Sequence, residues 1–151
     1  VAEFVAQSDV IVDEIDFEKP DISVLLANEA RKQKKTVFMG ANIGWGCSIF
    51  CFRPTDRKFE DVFLYNETDN TVDALQYCGI PPTYMTTEFL SSVISQERPM
   101  PGLSSSVALV AGLLSAHIVL HIAGMPVKVY SPRFIYFDVR EMIFEVRGGN
   151  E

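Results

Sequence analysis

A surplus of positive charge is missing from this sequence: 13 Lys and Arg stand against 20 Asp and Glu, for a net charge of -7 and a pI near 4.8. That argues against a nucleic-acid partner, because such proteins displace phosphate counterions with clustered Lys and Arg. The one basic cluster, Arg31 to Lys35, reads as the charged last turn of a helix, which suits the negative end of its dipole. Cysteine is scarce, at 47, 51 and 78, an odd count without the paired spacing of a disulfide framework or a zinc finger. A reducing, cytoplasmic setting and no zinc site in this chain follow. No run of about 18 uncharged apolar residues occurs. The nearest, Val107 to Ala123, contains His117 and His121, so no membrane association is expected. A signal peptide, internal repeats, low-complexity tracts and linkers are absent too, which leaves one domain, or most of one, over residues 1–151. The lack of any dinucleotide fingerprint sets aside a Rossmann-type oxidoreductase.

What is present is a real core, with 48% apolar residues in 151. The opening VAEFVAQSD reads as the end of a helix already under way, so the chain is expected to be a piece of something longer. Val10, Ile11 and Val12 form a short β-branched run between acids, the pattern of a strand buried on both faces. From Pro20, the residues Ile22, Leu25, Leu26 and Ala30 follow a helical period, with proline suited to the first turn. TVFMGA follows as a second buried strand, and strand, helix, strand over this length is a βαβ unit. Further on, Trp45 to Phe52 alternates as a strand, NETDN is a polar turn, and TVDALQYCG and PPTYMTTEFLSSVIS predict short helices. SSSVALVAGLLSAHIVLHIAG is the strongest helix, capped by serines and Gly124, apolar almost all round and therefore expected to be buried. VKVYS, PRFIYFD and REMIFEV close the chain as a β-rich meander.

Several residue groups could carry chemistry. Asp13, Glu14 and Asp16 place three acids in four residues where a strand leaves the sheet, and ligands of open α/β sheets bind beyond the carboxyl ends of the strands. A hard cation bound to phosphates needs only one or two protein carboxylates, although Asp16 could equally cap the loop or the next helix. Gly40, Gly44 and Gly46 suit positive φ or the close approach of another segment, with Trp45 packed over that turn. Cys47 and Cys51 lie on one side of a strand roughly 13 Å apart at ~3.3 Å per residue, too far for one zinc with bonds of ~2.3 Å, so they read as core. Cys78 is a weak nucleophile candidate, with no adjacent base or cation in the sequence. His117 and His121 have chelating spacing but sit on the most apolar helix without an acidic third ligand, which favours packing or an interface. The EVRGGNE tail reads as a flexible terminus.

Taken in order, DVIVDEID, the helix, TVFMGANIGWG, the apolar helix and VYSPRFIYFDVREMIFEV resemble the second half of the ThiF/MoeB/ubiquitin-activating adenylyltransferase domain. The resemblance implies an α/β fold with a Rossmann-like, partly parallel sheet, flanking helices and an antiparallel extension, lacking the first nucleotide-binding half. It implies Mg·ATP, with Asp16 as catalytic and magnesium-binding residue and Gly40 and Gly44 beside the nucleotide and acceptor. It implies adenylation of the C-terminal carboxylate of a ubiquitin-like or sulfur-carrier protein, and a homodimer offered by the apolar helix and terminal strands. Departures stand against this: no GxGGxG turn occurs, Phe17 and Asp21 replace the family's usual Asn and Arg, and no CxxC pair is present. A non-catalytic scaffold of the same kind is the alternative.

Overall fold

A computed structural model describes residues 1–95 and 97–148 of the chain. A five-stranded mixed sheet runs in the order β1 (Ile11–Asp13), β2 (Val37–Ile43), β3 (Gly46–Phe52), β4 (Phe134–Asp138), β5 (Ile143–Arg147). Only β1 and β2 are parallel, and every other neighbouring pair is antiparallel. The crossover between β1 and β2 is α2 (Pro20–Lys32), with Pro20 at its first turn and Arg31 and Lys32 at its last, as the sequence predicts. Its buried stripe, Ser23, Leu26 and Ala30, faces the sheet. α1 (Ala2–Ala6) packs beside it.

Alternation with period two divides β3 between two cores. Phe50 and Phe52 enter a layer with α2, α3 (Phe59–Val62), Phe63, Tyr77 and Phe134. Cys47, Ile49 and Cys51 enter a second layer with Phe38, Ile135 and α5 (Ser104–Ile122). With apolar partners on both faces, the whole of β3 is buried. Cys47 and Cys51 are thus core thiols, as the sequence analysis expects. Burial pushes them up to about 11 and about 12 respectively, with the charges of Asp138 and Asp56 adding to the shift. A 3-10 turn (Ala74–Tyr77) and α4 (Thr87–Ile94) occupy the two regions read as short helices.

Three expectations need correction. The strand expected at residues 10–12 sits one residue later, at Ile11–Asp13, because Ile11 N–H bonds the Thr36 carbonyl and sets the register. Residues 127–130 form no strand, and the β-meander is the β4–β5 hairpin alone. The third concerns α5, which is apolar all round but buries only Ser106, Val110 and Leu114, while Val119 and Ile122 are 61% and 67% exposed. Its first cap is Leu103 rather than a serine, with the Ser106 hydroxyl accepting the Leu103 N–H at 3.2 Å and donating back to the Leu103 carbonyl at 2.8 Å. By length and composition this helix is apolar enough to cross a membrane. One stripe of it nonetheless packs on β2 and β3.

Candidate functional site

Parallel strands point their carboxyl ends at one rim of a sheet, and the chain opens there into a cleft of about 370 Å³. Glu14, Asp16 and Glu18 follow β1, and Gly40 and Asn42 belong to the second half of β2. The opposite wall comes from distant segments, with Tyr77, Met100 and Val107 among its residues. No Lys, Arg or His lines the cleft among the described residues. A hydrogen bond from Gly44 N–H to the Pro101 carbonyl, 2.7 Å, ties that wall to the β2–β3 turn.

The structure brings Asp16 and Gly40 together in this cleft. Asp16 is exposed, and its backbone carbonyl, not its carboxylate, receives Lys19 N–H (2.8 Å) at the entry to α2. Gly40 is extended rather than left-handed, and its lack of a side chain answers a close approach. A Cβ there would lie 2.7 Å from Val110 Cγ2 and 3.0 Å from Glu14 Oε1. Gly44 does not line the cleft. It forms the β2–β3 turn with φ of +59°, and a Cβ would meet the Tyr84 hydroxyl and Met85 Cε, each at 2.8 Å. The third glycine, Gly46, faces the Phe137 carbonyl at 2.6 Å from a would-be Cβ. Trp45, expected to pack over the turn, is 40% exposed.

Asp13, the last residue of β1, is 1% exposed. Its Oδ1 accepts the Ile15 N–H at 3.0 Å, and its Oδ2 has no partner. Burial lifts its pKa above the ordinary 3.8, with the Ile15 hydrogen bond pulling the other way. Glu14 is raised as well, by desolvation first and then by the Asp13 charge. A raised carboxyl binds its proton more tightly in the folded chain, so its stabilising contribution is full below the unfolded value and is lost as pH rises through the folded one. Asp13→Asn keeps an oxygen for Ile15 and removes that loss. Urea midpoints in EDTA should therefore favour the variant at pH 7.5 and converge with wild type below about pH 4. Equal midpoints at pH 7.5 would refute the burial argument.

The remaining candidates lie elsewhere. Cys78 is buried, and its thiol is pushed up to about 11 by desolvation despite the nearby Arg147, which does not suit a nucleophile. His117 Nδ1 sits 2.7 Å from the Leu113 carbonyl, and His121 packs edge-on against Phe38 at 5.4 Å. No group of three or more His, Cys, Asp or Glu arranged for a metal occurs among the described residues. Gly149 to Glu151 of the EVRGGNE tail lie outside the described residues.

Comparison with known proteins returns no matching family model and no matching curated protein. A crystal structure of PaaA in selenomethionyl form aligns over 97% of this chain and 44% of its own, at 12% identity and a TM-score of 0.59. A heterocyclase solved with substrate and cofactor aligns over 94% of this chain and 19% of its own, at 11% identity and a TM-score of 0.38, too low to weigh. The likeness to PaaA shows a shared fold, and this chain spans less than half the length of that structure. The resemblance to the ThiF/MoeB/ubiquitin-activating family is corrected by these findings, since no family model returns it and the likeness to PaaA, at 12% identity, carries a fold and not that family. The motifs that suggested it are short apolar strands and helices, which many mixed α/β chains share.

Proposed function

We propose that this chain contributes the acidic, magnesium-binding side of a nucleotide site that serves ATP-dependent adenylyl transfer to a polypeptide C-terminal carboxylate, as of a ubiquitin-like or sulfur-carrier protein. The observation that carries the reading is the cleft at the carboxyl ends of β1 and β2, where Glu14 and Asp16 meet Gly40 with no cation among the described lining residues. Phosphate oxygens would be repelled by such a wall unless a divalent cation stood between them. Hard oxygen donors suit magnesium, which keeps several waters and takes only one or two carboxylates from the protein. Asp16 would hold the metal, whose chemistry is to neutralise charge on the phosphates. Gly40 leaves room for ligand and carboxylate to approach β2. Phosphate-binding cations would come from a preceding Rossmann-like half. Three unpaired cysteines suit a reducing, cytoplasmic setting.

In the intact protein, Asp16→Ala should lower ATP–pyrophosphate exchange by on the order of 100-fold or more. Exchange at the wild-type rate in that variant would dismiss the role. A second reading, a non-catalytic binding module, is favoured by the same missing cations in the cleft wall. Absence of Mg·ATP binding by the intact wild-type protein would select it.

A further inference from the structure

The pairing of the sheet leaves a stretch of β2 main chain open inside the cleft. Ile11 N–H donates to the Thr36 carbonyl, so in the parallel ladder the even-numbered residues of this segment turn their N–H and C=O groups toward β1. The odd-numbered Ala41 and Ile43 therefore pair with Ser48 and Gly46 of β3, and Asn42 points away from that strand. β1 stops at Asp13, opposite Met39. Ile15 N–H, which would make the next rung with the Gly40 carbonyl, donates to Asp13 Oδ1 instead. Pairing on this edge resumes at Gly44, whose N–H meets the Pro101 carbonyl at 2.7 Å. Between these points the Gly40 carbonyl and the N–H and carbonyl of Asn42 have no partner among the described residues. All five residues from Met39 to Ile43 line the cleft, and the Asn42 side-chain oxygen is buried and unpartnered as well. Main-chain groups of a strand are ordinarily paired, and an open edge is a template for another strand.

From Gly40 to Gly44 the gap spans about 13 Å at ~3.3 Å per residue, room for about three residues of a guest strand. β1 closes it in line at one end and Pro101 at the other. A segment threading through would have to turn out at both ends, whereas a chain terminus needs a single exit. We propose that the C-terminal residues of a partner polypeptide add to this edge as a short extended strand, held by main-chain hydrogen bonds to Asn42 and the Gly40 carbonyl. The inference rests on the reading above for which terminus enters, and it adds Asn42 and the mode of capture. Strand addition draws its affinity from main-chain bonds, so the pairing tolerates many guest sequences.

Residue-resolved amide exchange of the intact protein tests this. Without peptide, the Asn42 amide should exchange about 100-fold faster than those of Ala41 and Ile43, which pair with β3. A mixture of N-acetylated hexapeptides, randomised in sequence and ending in a free carboxylate, should slow Asn42 exchange by about 10-fold or more. The same mixture with every amide N-methylated should leave it unchanged, because it cannot donate to the edge. Asn42→Pro removes an N–H that faces away from β3 and should lose the peptide, whereas Asn42→Ala keeps the main chain and should retain it. An Asn42 amide as protected as its neighbours before peptide is added, no added protection with the mixture, or equal protection by the N-methylated one overturns the proposal. A parallel titration with Mg·ATP separates the two readings. Peptide-dependent protection of Asn42 without nucleotide binding keeps the strand pairing and removes the nucleotide. ATP–pyrophosphate exchange without that protection keeps the nucleotide and removes the pairing.

Discussion

Phe50→Ala should destabilise the fold by about 3–5 kcal/mol, the largest effect of any single truncation in the core. Phe50 is fully buried at the centre of β3. Its ring stacks on Phe134 at 4.6 Å and meets Phe63 edge-on at 5.1 Å and Tyr77 at 6.3 Å. The ring thereby joins β4, the segment after α3 and the 3-10 turn. Neighbours held by a hydrogen-bonded sheet cannot collapse into the space it leaves, so most of the cavity term persists. A domain of this kind holds roughly 5–15 kcal/mol in total, which puts the variant close to its folding limit. A urea midpoint shift with an unchanged slope checks the prediction. Phe50→Leu should lose clearly less, and a loss below about 1 kcal/mol in Phe50→Ala would show that the site repacks.

Asp138→Ala should come next, at about 3–5 kcal/mol, for a polar reason. The fully buried Asp138 carboxylate accepts four hydrogen bonds: from the hydroxyls of Tyr84 (2.7 Å) and Tyr136 (3.1 Å) and from the N–H groups of Arg140 (2.9 Å) and Glu141 (3.0 Å). Burial raises both tyrosines far above their ordinary acidity range, and the nearby carboxylate adds to it, so the hydroxyls remain donors at any working pH. Truncation strands those donors together. The disturbance also travels, because the Tyr84 hydroxyl accepts Trp45 N–H at 2.9 Å and so steadies the Gly44 turn. Faster amide exchange at Trp45, alongside the lowered midpoint, is the expected signature. Tyr84→Phe should show the fast exchange with a smaller loss of about 0.5–1.5 kcal/mol. A protected Trp45 amide in both variants would sever the link between Asp138 and the turn.

The sequence made some of this readable because the relevant forces are local. Pro20 and the basic cluster bracket α2, and the β-branched run and VFM mark the parallel pair, since each signal is a periodicity or a backbone restriction within a few residues. The Gly44 turn was readable for the same reason. The orientation of α5 was not, because a helix apolar on every side contains no information about which stripe will meet a sheet. The acids after β1 stand out in the sequence, but not which of them is buried: a register shift of one residue puts Asp13 inside and Glu14 in the cleft. Nothing local marks Asp138, whose partner Tyr84 lies 54 residues away. The far wall of the cleft was equally hidden, since the 3-10 turn that ends at Tyr77 and the loop that holds Met100 are brought there by tertiary packing.

The β3–β4 ladder joins strands that lie on either side of the whole middle of the chain, from Phe52 to Phe134. In topological terms the sheet is one parallel strand, β1, beside two hairpins with one long excursion between them, and the excursion carries α3, α4, α5 and the far wall of the cleft. Closing such an excursion becomes only slowly more costly as it lengthens, by about 0.6 kcal/mol per doubling. Evolution can therefore enlarge or reshape one wall of the cleft while the strands that carry Gly40 and the β1 acids keep their pairing, so ligand preference and scaffold can change separately.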